Sequence, residues 1–167
     1  MSKQPTNATE ARARVTELVR EARICMLTTT AVDGRQVSRP MGLQEAGFDG
    51  DLWFFASADS AKVRQIRVNP EVNVSFSDQK HNAWVSVSGT ASEEFDRARA
   101  ERLWNPLLKT WFPDGLDTPD LTLIKVHASS AEYWDSPNST VVNLLGFAKA
   151  AVTGQPPEAG ENHEVSY

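Results

Sequence analysis

Residues Val72-Asn73-Val74-Ser75-Phe76-Ser77 and Trp84-Val85-Ser86-Val87-Ser88 alternate apolar with small polar side chains. A strand sends successive side chains to opposite faces, so this pattern predicts two strands, each with one apolar and one polar face. Strands of that kind belong to an antiparallel sheet that buries a single face. The second strand is predicted to run from Trp84 to Ser92, and Gly89 within it marks a bulge.

The rest of the chain supplies more strands and the helices to cover them. Asn7 with Glu10 gives a capping signal, and Ala11, Val15, Leu18, Val19 and Ala22 keep helical spacing, which predicts an amphipathic helix over residues 8–22. Ile24 to Thr30 is rich in β-branched residues and reads as a strand. Asp33-Gly34 is a hairpin signal, and Gln36 to Leu43 the returning strand. Pro40 within it has no N–H to give a ladder, which implies an edge or a bulge. After Gly47 and Asp49-Gly50 comes a third strand, Leu52 to Ala56. A helix over 60–68 ends at Asn69-Pro70, and 78–82 form a polar loop. A helical pattern runs from Asp96 to Trp104 and stops at Asn105-Pro106, with a short helix over Leu107–Phe112. Leu121 to Trp134 is a long sixth strand, and Val141 to Ala151 a final short helix or strand. Six short strands with hairpin signals and edge devices predict an α+β fold, a closed or nearly closed antiparallel barrel with flanking helices. Residues 1–7 are expected to be a flexible N-terminus, 8–152 one domain, and 153–167 a disordered tail, from Gln155-Pro156-Pro157 and its charges.

The net charge of −5 argues against a nucleic-acid partner, because the five Trp residues have no basic stripe beside them. No stretch is apolar enough to span a bilayer and no secretory segment is found, so a cytoplasmic location without membrane contact is expected. The single cysteine, Cys25, sits in an apolar run and reads as a buried, inert thiol. His81, His127 and His163 are scattered without metal-ligand spacing. No nucleophile elbow, P-loop or dinucleotide glycine fingerprint is found.

Lys62 raises a different question. It stands in the first turn of the predicted helix 60–68, where open N–H groups and the helix dipole already make the end positive. A surface lysine there is tolerated at a cost of a few tenths of a kcal/mol. Its neighbours offer another account. Ser57 and Ser60 bring hydroxyls, Ser60 as a candidate N-cap, and the amides of Ala61 and Lys62 point out of the helix end. Hydroxyl, amides, dipole and ammonium together make an anion cradle suited to a phosphate monoester. Arg39, before Pro40, is either a second cation that forks onto the same phosphate or an exposed arginine on an edge strand. Arg64 and Arg67 need not share the face of Lys62 and read as solvated or ion-paired.

The stretches "RPMGLQ", "LWFFAS", "SAKVRQIRVNP", "VNVSF" and "WVSVSGTAS" fall in the order and spacing of the pyridoxamine 5′-phosphate oxidase-like, FMN-binding split-barrel proteins. "LWNPLLKTWFPDG" followed by "DTPDLTLIKVHASSAEYWD" resembles the general stress protein branch, and the resemblance covers about residues 8 to 150. It implies a homodimeric six-stranded split barrel with FMN, or FAD in its place, at the subunit interface. Carried onto this chain, it puts Arg39, Lys62 and Ser60 at the phosphate. Pro40 and Met41 run their backbone along the isoalloxazine, and Phe54, Phe55, Ala56 and Ser57 line the ring and ribityl chain. Trp84 stands where the oxidases place a flavin-contacting glutamine, and Trp111 reaches a flavin across the dimer. Gln44 and Ala61 replace two cations of the oxidases, and the oxidases' C-terminal Arg-x-His substrate element is missing, so true pyridoxamine phosphate oxidase activity is not expected. The resemblance implies a flavin-dependent oxidoreductase with NAD(P)H or a small oxidant as partner. The alternatives are a non-catalytic FMN or FAD storage or sensor protein, and a split barrel that takes F420 or haem.

Overall fold

The computed structural model describes residues 8–44, 48–79, 82–135 and 161–167. Helix α1 (Ala8–Glu21) lays Ala11, Val15, Leu18 and Val19 against the core, the face its spacing predicts. Asn7, the predicted cap, and the 141–151 segment lie outside the described residues. The strands follow: β1 (Ile24–Thr30), β2 (Gln36–Gly42), β3 (Asp51–Ser57), β4 (Glu71–Asp78), β5 (Ala83–Glu93) and β6 (Leu121–Asp135). Helix α2 (Ala61–Val68) connects β3 to β4. Helix α3 (Arg97–Leu103) and two 3₁₀ turns, Pro106–Thr110 and Gly115–Asp117, connect β5 to β6.

Every strand pair is antiparallel, in the order β2-β1-β4-β5-β6-β3. Among the described residues no ladder joins β2 to β3, the two ends of this path, so the curled sheet stays split along that seam. Pro40 lies in β2, the edge strand, opposite Met26, where its missing N–H costs no ladder bond. The main core lies inside the curl, where Leu27, Phe54, Val63, Val74, Phe76, Val87, Ile124 and Val126 are fully or nearly fully buried. Burial of each such side chain contributes about 1.5–3 kcal/mol.

The unbroken apolar run Leu52-Trp53-Phe54-Phe55 has a structural cause. Leu52 and Phe54 face the main core. Trp53 and Phe55 face a second, smaller core with Leu121 and Leu123, closed by Ala100 of α3 and Leu108 of the first 3₁₀ turn. Both faces of β3 are therefore buried, and alternation is lost. Phe55 packs edge-on against Trp104 at 5.4 Å, and the Arg99 guanidinium stacks 4.3 Å from the Trp53 ring.

The bulge predicted at Gly89 is present: the β5–β6 register shifts between Ser88 and Gly89. A β-carbon there would lie 2.1 Å from the His127 carbonyl oxygen, so only glycine lets the two backbones approach so closely.

The C-terminal expectation needs correction. Glu161–Ser166, within the segment predicted to be disordered, forms strand β7 on the free edge of the C-terminal half of β6. Residues 153–160 lie outside the described residues. β7 carries one inward apolar side chain, Val165, and Tyr167 follows it. The Arg12 guanidinium of α1 donates to the Ser166 carbonyl and lies over the Tyr167 ring, which meets Phe48 edge-on at 5.4 Å. A strand with so little apolar content is held by the β6 edge and by α1, which local sequence cannot show.

Candidate functional site

The sequence-predicted cations meet near the seam between β2 and β3. Arg39 projects from β2 toward α2, where its Nη1 donates to the Leu27 carbonyl at 3.2 Å and to Thr29 Oγ1 at 2.6 Å. Its Nη2 donates to Gln65 Oε1 at 3.2 Å. Thr29 Oγ1 in turn donates to the same Gln65 oxygen at 2.6 Å. All these acceptors are neutral. Among the described residues neither Arg39 nor Lys62 makes an ion pair with a carboxylate.

Lys62 and Arg39 feel each other. Partial burial first, and the Arg39 charge second, lower the Lys62 pKa below its ordinary value. Burial likewise lowers that of Arg39. Two half-buried like charges without a counter-charge raise the free energy of the fold, and a bound anion would remove that strain.

The helix end completes the corner. Ser60 is the N-cap of α2, as the sequence predicts, but its side chain makes no capping bond. Its Oγ is buried without a hydrogen-bond partner among the described residues. Buried hydroxyls are almost always paired, so this one has room for a partner such as a water or an anion. Buried hydroxyl, outward amides and two cations fit a phosphate monoester by the chemistry of the donors.

The remaining sequence-predicted residues divide. The Ser57 hydroxyl donates to the Asp120 carboxylate, so it is not an open donor beside Ser60. Phe54 is 0% exposed and Ala56 2%, both inside the main core, while Phe55 faces the second core. No aromatic side chain of β3 faces an open site, so β3 could meet a ligand there only through its backbone. Met41 is buried, whereas Pro40 is exposed on the outer face of β2. Gln44 is buried and donates to the Gly42 carbonyl at 3.1 Å. Trp84 is 43% exposed on the outer face of β5 opposite Trp134, and Trp111 is 71% exposed at the end of the first 3₁₀ turn. The structure does not bring either tryptophan to the cation pair within one chain. Arg67 pairs with Glu93 at 2.6 Å, and Arg64 donates to the Asp59 carbonyl, next to Ser60.

Two residues at the corner are not legible as site residues from motif alone. Thr29 is 1% exposed, the one polar side chain in the inward series Cys25, Leu27, Thr29 of β1. Gln65 lies three residues after Lys62 and shares its side of α2. A polar residue at an inward strand position was the available signal.

Other polar features lie elsewhere. His127 Nδ1 is 2.8 Å from Asp51, which also meets Lys125 at 3.3 Å. No group of three potential metal ligands occurs among the described residues. Burial pushes the Cys25 thiol up to about 12, which keeps it protonated and inert, as expected. Two clefts, one lined by Arg20, Arg23, Ser77 and Asp78 and one by Phe95, Arg97, Leu116 and Asp120, include neither cation of the seam. No helix among the described residues is long and apolar enough to cross a membrane.

The strand order and pairing define a small antiparallel split barrel, with the two half-buried cations Arg39 and Lys62 near its seam. Residues 10–158 match the pyridoxamine 5′-phosphate oxidase-like family, and the chain belongs to it. It is 31% identical over 150 residues to protein bli-3 of Neurospora crassa, covering 84% of this chain and 72% of that protein. It is 25% identical over 118 residues to general stress protein 26 of Bacillus subtilis, covering 69% and 82%. Among solved structures it is similar to the general stress FMN/FAD binding protein of Xanthomonas citri, with 31% identity and a TM-score of 0.67, covering 79% of this chain and 92% of that one.

Proposed function

We propose that this chain is an FMN-binding protein of the general stress kind that holds the coenzyme by its terminal phosphate at the Arg39–Lys62–Ser60 corner. The observation that carries this reading is the pair of half-buried cations with no carboxylate partner among the described residues, beside a buried hydroxyl with no partner among them. The similarity to a protein described as FMN/FAD binding supports a flavin over F420 or haem. FMN ends in a doubly charged monoester, which suits two cations and a helix end better than the diester phosphates of FAD.

The chemistry is that of a flavin-dependent oxidoreductase, in which the bound flavin supplies hydride or electron transfer at its N5. This chain's residues bind and orient. Arg39 and Lys62 fix the phosphate, Ser60 donates to it, and the exposed backbone at Pro40 offers a flat approach to the ring. The second substrate is a reduced nicotinamide nucleotide or a small oxidant. A storage or sensor role is the second reading. It is favoured by the contacts of Arg39, which run to Leu27, Thr29 and Gln65 and include no acid or base.

The functional unit proposed is a homodimer. The outer face of β1, β4 and β5 presents rows of uncharged side chains, Thr28, Asn73 and Ser88 in one and Met26, Ser75 and Ser86 in the next. Met26 is 40% exposed, and Trp84 stands beside these rows. A flat face of this kind can pack on its own copy, and a second chain could bring Trp84 or Trp111 to the seam that one chain leaves open.

A spectrum tests the flavin reading. Purified protein supplied with FMN is expected to stay yellow after desalting, with absorption at about 450 nm. Bleaching by NADPH or NADH with turnover on air or a quinone supports the oxidoreductase, and bleaching by neither supports storage. A Soret band or a blue-shifted fluorescent chromophore from the expression host would replace flavin by haem or F420. Light scattering at micromolar concentration is expected to give the dimer mass; a monomer would contradict the shared site.

A further inference from the structure

The guanidinium of Arg39 carries five N–H donors and no acceptor. The amide of Gln65 must therefore turn its oxygen toward Arg39, and that oxygen also takes the Thr29 hydroxyl hydrogen. Thr29 is left with a lone pair for Arg39 Nη1. Arg39, Thr29 and Gln65 thus close a ring of three hydrogen bonds in which every role is forced. The ring ties the cation of β2 to α2, the helix whose first turn carries Ser60 and Lys62.

We propose that Gln65 is the positioning residue of the phosphate corner, fixing the Arg39 guanidinium against α2 through a neutral oxygen and so leaving its charge whole for the ligand. The inference rests on the reading of this corner as a phosphate site. A carboxylate of the same length would hold Arg39 in the same place but cancel its charge. An apolar side chain would keep the charge but release the fork. The amide meets both demands, and a lysine three residues earlier on the same helix places the second cation from the same support.

The test is fluorescence titration of the wild type, Gln65→Glu and Gln65→Met with FMN and with riboflavin, which lacks the phosphate. Gln65→Glu is expected to weaken FMN about tenfold or more, leave riboflavin within about twofold, and flatten the salt dependence of FMN binding. Gln65→Met is expected to weaken FMN less and to keep the wild-type salt dependence. A merely structural role would lower both ligands together, with a lower thermal midpoint and no change in salt dependence. If Gln65→Glu keeps the wild-type preference for FMN, or loses both ligands equally, the inference is overturned. If Gln65→Glu does not fold, an unchanged preference in Gln65→Met overturns it instead. If the wild type itself shows no preference for FMN over riboflavin, the phosphate reading falls and this inference with it.

Discussion

Gly89→Ala is expected to destabilise the protein by about 3 kcal/mol or more, at or above the upper end of ordinary overpacking. The added methyl would meet the His127 carbonyl oxygen at 2.1 Å and the Ala128 α-carbon at 3.0 Å. Both belong to backbone in the β5–β6 ladder, which pairs eleven residues of β5 and cannot yield as a side-chain tip would. Domains of this size are stable by about 5–15 kcal/mol, so the loss is a large share of the whole. Urea denaturation checks it, with Gly42→Ala as the control. Gly42 lies on the edge strand with nothing within 4 Å of its added carbon, so its midpoint should move little. Equal midpoints for the two variants would show that β5 and β6 do not meet at this bulge.

Lys62→Ala is expected to weaken FMN by about 1.5–3 kcal/mol, a factor of roughly ten to above a hundred, because it removes a charge-assisted contact from a partly desolvated corner. Riboflavin should bind within about twofold of wild type, having no phosphate to lose. Equal loss for both ligands would place the lysine elsewhere. The pH dependence has a definite sign. The phosphate takes its second charge near about pH 6. Lys62, lowered from 10.5 by burial and by Arg39, loses its proton earlier than a free lysine. FMN affinity should therefore fall as pH climbs toward 10.5, and the Lys62→Ala variant should lack that limb. For the apoprotein the sign is opposite. A base whose folded pKa is depressed weakens the fold while it is charged, so the penalty is full below the lowered value and gone above 10.5.

Most of the sheet was legible because its face-to-face contrast is written in the residues. Val72, Val74 and Phe76 are inward and Asn73, Ser75 and Ser77 outward, as alternation requires. β1 was bounded at both ends by the start and end of its β-branched run. β7 was not legible, because a strand with one inward apolar residue among Glu161, Glu164 and Ser166 owes its existence to an open edge contributed by β6, far away in sequence. At the site, charge was legible and support was not. Lys62 and Arg39 stood out as cations in unusual places. Thr29 and Gln65 are ordinary residues whose role appears only when β1, β2 and α2 meet. Ser57 and Asp120, 63 positions apart, pair only because β3 and β6 lie side by side, and that pairing removes a donor the sequence had offered. The aromatic side chains of β3 were read as lining a ligand, but the strand has no free face.

Electron density for crystals of the protein grown with FMN tests the central claim most directly. The account predicts the terminal phosphate at the seam, within hydrogen-bond reach of Arg39, Lys62 Nζ and the Ser60 hydroxyl. A phosphate in solvent or in another cleft, with Arg39 and Lys62 bare, would contradict it.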